Sequence, residues 1–275
     1  YIIENSQRAT IAAIGKLQEG VYQNLMTIDG YDKPVELNAT MTISKEGIHV
    51  DFTGSSMQSP YGINVVLNYT LAYTCFGIKC VVAPDIPNNH GSLEPFTVSA
   101  PEGSILNPRW PAPVSARHII GHALPDTVMG CLYKALPEKV LAESGMMWNP
   151  YLRGEVWFEG IHRAWEMFYF QSGGMGARAA KDGLNATAFP AGIKNIPVEA
   201  AEAVAPIIFW KKDLRPDSGG AGQYRGGLGQ VVEIGSVTDA EMNFQAMFDR
   251  VEHPPGGRNS GKPGKHGFAS LKSGK

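Results

Sequence analysis

Val35-Glu36-Leu37-Asn38-Ala39-Thr40-Met41-Thr42-Ile43-Ser44 and Gly47-Ile48-His49-Val50-Asp51-Phe52, set around Lys45-Glu46-Gly47, form the stretch on which the fold turns. Apolar and polar residues alternate on both sides of the Lys-Glu-Gly triplet. A period of two is that of a strand with one face buried and one face wet. Glycine at the end of a short polar break permits a tight reversal. The stretch therefore predicts a β-hairpin.

Working upstream, Ile3, Ile11, Ile14 and Leu17 recur at near-helical spacing. This predicts an amphipathic helix over 1–19 with Gly20 as its stop. Downstream, the most apolar run extends from Tyr61 to Ala83 but carries Asn64, Asn68 and Lys79. A bilayer would penalise those groups, so a buried helix is expected and no membrane span. Pro84-Asp85-Ile86-Pro87-Asn88-Asn89-His90-Gly91 breaks that helix, and a short strand is expected over Phe96–Ala100. After a proline-rich break, Ser115–Leu136 reads as a third helix with Ser115 as N-cap.

Beyond residue 145 aromatics crowd Trp148–Phe170, glycine and proline become frequent, and strand-like runs occur at Pro206–Lys211, Gln230–Ile234 and Glu241–Phe248. The expectation is an α/β (mixed α+β) chain with a helix-containing first half and a β-rich, glycine-rich second half. Sub-blocks of 1–145 and 146–275 follow from that change in texture. The tail from Pro254 to Lys275 reads as loop.

Of the 275 residues 43% are hydrophobic and 18% charged, which suits a buried core and excludes a disordered chain. The net charge is -2 with no basic stripe, so no nucleic-acid partner is expected. Three cysteines, Cys75, Cys80 and Cys131, form no disulfide framework and point to a reducing, cytoplasmic setting. With Tyr1 first and no targeting pattern, the chain is expected to begin within a longer protein or to have been trimmed.

The densest motif is Asp217-Ser218-Gly219-Gly220-Ala221-Gly222-Gln223-Tyr224-Arg225-Gly226-Gly227-Leu228-Gly229, six glycines in thirteen residues. Glycine lets backbone amides approach a ligand or another strand closely. One reading is an oxyanion or phosphate cradle, with Arg225 as cation and Asp217 and Ser218 as polar contacts. The other is a tight turn built by glycine between strands, and spacing alone leaves both open.

Gly256–Lys262 satisfies seven positions of a phosphate-binding P-loop, but Pro263 replaces the hydroxyl residue and nothing after it favours a helix. ATP, if used, is expected to be bound by another chain. His118 and His122 lie one helical turn apart, which suits Zn²⁺, yet Ile119 stands where the zinc-protease pattern has Glu and no third ligand is near. No metal site is assigned, and packed or solvated histidines are the alternative. His90 sits in a turn, where a hydrogen-bonded role is the default. Cys75 and Cys80 fall in the apolar helix, where thiols should have raised pKa values and little access.

Motifs in a fixed order carry a resemblance. Asp51-Phe52-Thr53-Gly54-Ser55-Ser56-Met57-Gln58 with Gly62-Ile63-Asn64, then Ile86–Pro95, Pro101–Pro108 and Pro111–Val114, resemble signatures of the hydantoinase B/oxoprolinase family. Gly173-Gly174-Met175-Gly176-Ala177-Arg178 with Asp182-Gly183, Asn195–Glu199, Leu214–Gly229 and Pro254–Gly264 follow in the same order.

The resemblance implies the C-terminal part of a B-type subunit of an ATP-dependent hydantoinase, N-methylhydantoinase or 5-oxoprolinase, a group related to the α subunits of acetone-type carboxylases. Family members are longer, and the resemblance implies a divalent metal site in an N-terminal part not matched here. It also implies a hetero-oligomer with an ATP-binding A-type subunit, which phosphorylates a carbonyl or amide oxygen of a small-molecule substrate. Two rivals stand beside ring opening of a cyclic amide: carboxylation of a ketone, and a structural or assembly module with catalysis elsewhere. For the enzyme readings, Asp217 and Asn64 are the candidate catalytic residues. Arg117, Arg178, Arg225, Ser218, Gly219, Gly220 and Gly222 are the candidates to hold phosphate or carboxylate, since arginine pairs with both through two parallel bonds.

Overall fold

The computed structural model describes residues 1–237 and 241–271 and divides them into two compact units. The first comprises 1–141 with 178–180, the second 142–177 with 181–275. The architecture is mixed α/β.

The first unit contains the expected hairpin. β2 (Val35–Ile43) and β3 (Ile48–Asp51) pair antiparallel, with Thr42 opposite His49 and Thr40 opposite Asp51. β1 (Gly20–Ile28), which the sequence reading did not anticipate, pairs antiparallel with β2. β4 (Phe96–Ser99) pairs parallel with β3, giving the order β1-β2-β3-β4. Leu37, Ala39, Met41, Ile48 and Val50 are all completely buried on one face. Against that face lie α2 (Leu67–Val82) and α5 (Ala123–Leu132), and every residue of α5 is buried. Each large aliphatic so placed contributes about 1.5–3 kcal/mol of transfer free energy. The two helices approach closely at Gly77, where a Cβ would come within 2.7 Å of the Pro125 Cα.

Four expectations need correction here. The first helix, α1 (Ile2–Ile14), ends five residues before the expected Glu19, and Gly20 opens β1 instead of stopping the helix. Its buried face is Ser6, Thr10 and Ile14, and Ile3 is half exposed. Small polar residues win because α1 docks by hydrogen bonds: Thr10 Oγ1 donates to Ser92 O (3.2 Å), and Asn89 Nδ2 donates to Ser6 Oγ (2.8 Å). Within the expected turn region, α3 (His90–Leu93) is a single turn capped by Asn89, which accepts from Ser92 N. His90 is exposed.

The third helix does not begin at Ser115. Residues 115–117 form a turn, followed by α4 (His118–Gly121) and then α5, separated at His122. Pro125 explains the break, since it has no N–H to give to the Gly121 carbonyl. Cys75 is buried and its thiol pushed up to about 11, as expected, but Cys80 reaches the surface, although burial also raises its pKa.

The second unit is mostly strand and loop. β5 (Met147–Phe158) lies between β6 (Ile161–Phe168) and β10 (Met242–Met247), and β7 (Gln171–Ser172) pairs with its start. A separate ribbon joins β8 (Ile207–Leu214) to β9 (Gln230–Ser236), and α6 (Val198–Val204) precedes it. Its core gathers Leu152, Met167, Tyr169, Ala201, Ala205 and Ile207. Strands were expected at β8, β9 and β10; α6 was not. The tail is without helix or strand as far as Leu271, and 272–275 lie outside the described residues. No helix among the described residues is long and apolar enough to cross a membrane.

Candidate functional site

In the first unit, Asn64 and Arg117 are brought together through the backbone. Asn64 is completely buried. Its Oδ1 accepts from Ser59 N at 2.7 Å, while Nδ2 reaches the carbonyls of Ser59 (2.8 Å), Tyr61 (3.0 Å) and Pro113 (2.9 Å). All of its polar capacity therefore goes into pinning the 59–64 loop to the segment leading into Arg117. The same two segments are tied by Ala116 N donating to Gly62 O at 2.7 Å.

Arg117 is exposed. Its guanidinium donates to Val114 O at 3.1 Å and lies 6.0 Å from the centre of the Tyr69 ring, with no carboxylate partner among the described residues. Tyr69 stacks on Tyr73 (4.5 Å between centroids), Tyr73 lies 5.8 Å from His122, and His122 lies 5.7 Å from His118 in an edge-to-face arrangement. Burial, aided by hydrogen bonding to Tyr73, raises the pKa of the Tyr69 hydroxyl well above the ordinary tyrosine range.

His122 is 3% exposed, and its Nδ1 has no hydrogen-bond partner among the described residues. Burial first, and the neighbouring His118 second, push its pKa down to about 4. Near neutral pH it is an uncharged imidazole among aromatic rings. No group of three or more metal-ligating side chains occurs among the described residues.

The open face of the sheet carries a second constellation. Two cross-strand rows, Thr42–His49–Thr97 and Thr40–Asp51–Ser99, lie on the side opposite the core. His49 Nδ1 is 2.8 Å from Thr97 Oγ1, His49 Nε2 is 3.0 Å from Ser99 Oγ, and Ser99 Oγ donates to Asp51 Oδ1 at 3.1 Å. Asp51 also accepts from the Thr53 amide (3.1 Å) and hydroxyl (2.9 Å). Desolvation pushes the Asp51 carboxyl upward, but these hydrogen bonds and nearby His49 outweigh it, so the pKa is lowered overall. The rows border an open cleft of about 590 Å³ that also involves Pro101. Sequence reasoning missed this site. His49 and Asp51 have the alternating spacing that puts them on one face, but Ser99 joins only through parallel pairing of β3 with β4, which spacing does not reveal.

In the second unit, Asp217 is exposed and holds a positive φ of 55°, a conformation that aspartate tolerates better than most residues. Ser218 Oγ donates to Arg215 O (2.8 Å) and accepts from Gly229 N (2.9 Å), closing the loop on itself. Arg225 pairs with Asp182 (3.6 Å) and donates to Asn185 Oδ1 (3.3 Å).

The glycines here let backbones pack against one another. A Cβ on Gly219 would lie 2.1 Å from Gly226 O, and one on Gly220 would lie 2.1 Å from Lys262 O. Yet the amides of Gly219, Gly220 and Gly222 donate to no described residue. The loop thus packs backbone against backbone while these three amides keep no described acceptor. Gly256 N donates to Glu143 Oε2 at 2.8 Å, and no helix follows this segment among the described residues. Glu143 in turn pairs at 3.1 Å with Arg250, which is 3% exposed, a buried ion pair that the sequence did not disclose. Arg178 is half-buried, engaged by other groups, and belongs to the first unit.

Comparison with known proteins agrees with the motif order. The Hydantoinase B/oxoprolinase family matches residues 1–274. A protein of Pseudomonas sp. named as the B component of a D-/L-hydantoinase is 28% identical over 286 residues, covering 98% of this chain and 47% of the relative. The fold is shared with acetone carboxylase in a nucleotide-free structure (TM-score 0.76, 18% identity, 88% of this chain and 35% of that one). It is also shared with the ATP-dependent caprolactamase of Pseudomonas jessenii (TM-score 0.74, 24% identity, 85% of this chain and 42% of that one). The chain spans less than half the length of curated relatives it matches, 41% of one and 47% of another. The chain belongs to the hydantoinase B/oxoprolinase family.

Proposed function

We propose that the chain works within a B-type subunit that completes the ring opening of a cyclic amide, a hydantoin or 5-oxoproline, after an ATP-binding A-type partner has phosphorylated the amide oxygen. The hydantoinase B component aligned over 98% of the chain supports the subunit type. The caprolactamase fold supports an amide substrate, since caprolactam is itself a cyclic amide. ATP and any divalent metal are assigned to parts of the assembly outside this chain.

The observation that carries the reading is Arg117: an exposed guanidinium with no carboxylate partner among the described residues, set beside the Tyr69–Tyr73 stack. In this proposal Arg117 holds the phosphate or carboxylate of the activated substrate. Considered by itself, the second unit offers the unengaged amides of Gly219, Gly220 and Gly222, next to Asp217, as a place suited to bind an anion. Asn64 is a positioning residue, and Arg225 and Ser218 hold loops in place.

The acetone carboxylase fold favours a second reading, ATP-dependent carboxylation of a ketone. ATP consumption by the protein with an A-type partner, offered 5-oxoproline, hydantoins, or acetone with bicarbonate, separates the two. Turnover of a cyclic amide without bicarbonate is expected. Turnover only of a ketone, and only with bicarbonate, selects the carboxylase. ATP use stimulated by none of them returns the chain to an assembly role.

A further inference from the structure

On the open face of the first unit's sheet, three conditions for nucleophilic acyl transfer meet. A hydroxyl, Ser99 Oγ, lies within hydrogen-bond reach of an imidazole nitrogen, His49 Nε2, at 3.0 Å. The other ring nitrogen is held at 2.8 Å by Thr97 Oγ1, which fixes the ring plane. The group borders a wide, open depression of about 590 Å³ on the sheet face, so a small ester can reach Ser99 from solvent. A nucleophile, a base and a group that orients the base, all within hydrogen-bond reach, are the signature of an activated serine.

From this arrangement we propose that Ser99 is a nucleophile toward small activated esters, with His49 as its proton acceptor and Thr97 as the residue that positions His49. In the tautomer this requires, Nδ1–H donates to Thr97 Oγ1, and the Ser99 hydroxyl rotates its proton from Asp51 Oδ1 to the Nε2 lone pair 3.0 Å away. Ser99 Oγ bonds to the ester carbonyl carbon as its proton passes to Nε2. The bond from that carbon to the alkoxy or aryloxy oxygen then breaks, and the leaving oxygen takes the proton back from Nε2. Water repeats the sequence on the acyl-serine, releasing the acid and restoring the hydroxyl. Asp51, 3.1 Å from Ser99 Oγ, supplies negative charge beside the imidazolium that forms. Neither ATP nor a partner chain enters the reaction, so its success or failure is separate from that of the amide-opening proposal.

The test is covalent. The purified protein is treated with p-nitrophenyl acetate and, separately, with a fluorophosphonate, and the modified peptide is located by mass spectrometry. The expected result is a p-nitrophenol burst with the adduct on Ser99. Ser99→Ala should remove both while keeping the wild-type melting curve, and His49→Gln should slow labelling roughly a hundredfold. A wild-type protein left unmodified at Ser99, or a His49→Gln variant that labels Ser99 at the wild-type rate, overturns the proposal.

Discussion

The Asn64 side chain donates to the Pro113 carbonyl across 49 residues of sequence, at 2.9 Å, and so fixes the segment that presents Arg117. Replacing Asn64 with alanine would strand Ser59 N and Pro113 O in a buried setting, at about 1–3 kcal/mol each. The expected outcome for Asn64→Ala is a melting temperature lowered by several degrees, with turnover falling in step. Unchanged melting with abolished turnover would return Asn64 to the catalytic role its motif suggested.

His122 sets an acid limit. Its folded pKa is lowered from 6.5 to about 4 because burial opposes the charged form. The stability tied to its neutral form is therefore complete above pH 6.5 and lost as pH falls toward 4. The difference is on the order of 3 kcal/mol at the acid end. Denaturant melts at pH 7, 5.5 and 4 should show this loss, and His122→Phe should flatten it. An equally steep loss in the variant would assign the effect to other groups.

Gly219 and Gly222 separate packing from chemistry in the glycine-rich loop. A Cβ at Gly219 meets Gly226 O at 2.1 Å, whereas one at Gly222 finds its nearest neighbour, Tyr224 O, at 3.1 Å. Gly219→Ala should destabilise the second unit by several kcal/mol, following the overpacking rule of about 1–3 kcal/mol or more. Gly222→Ala should melt close to wild type. A Gly222→Ala variant that keeps its melting curve and loses turnover would identify the loop as an anion cradle in use.

The ion pair of Glu143 with Arg250 is the most buried on its cationic side among those described. Glu143→Ala removes one carboxylate from that buried guanidinium and the acceptor of Gly256 N. A loss of about 3–5 kcal/mol is expected in chemical denaturation. A variant within experimental error of wild type would show that water takes over both roles.

Much of the frame was legible because it rests on periodicity. The alternation over 35–52 located the hairpin to within a residue, since each side chain's face follows from its place in the strand. β1 was missed: Gly20-Val21-Tyr22-Gln23-Asn24-Leu25 leaves Val21 and Leu25 exposed, so its alternation does not track burial there. The face of α1 was misread because Ser6 and Thr10 are buried through hydrogen bonds that have no hydrophobic signature.

Among the candidate site residues, Asn64 and Arg117 proved to be linked, but only through loop geometry that no spacing encodes. The glycine motif announced close approach without saying what approaches. The Glu143–Arg250 pair joins residues 107 positions apart, beyond the reach of local pattern.

The most direct measurement of the central claim is ATP-coupled ring opening by the protein with its A-type partner, comparing wild type with Arg117→Ala at equal melting temperature. The exposed guanidinium makes no carboxylate pair among the described residues, so its removal should cost less than about 1 kcal/mol of stability. The account predicts that product formation falls by about a hundredfold or more, as expected for loss of a charge-assisted contact to the reacting group. Ring opening at the wild-type rate in Arg117→Ala would contradict it.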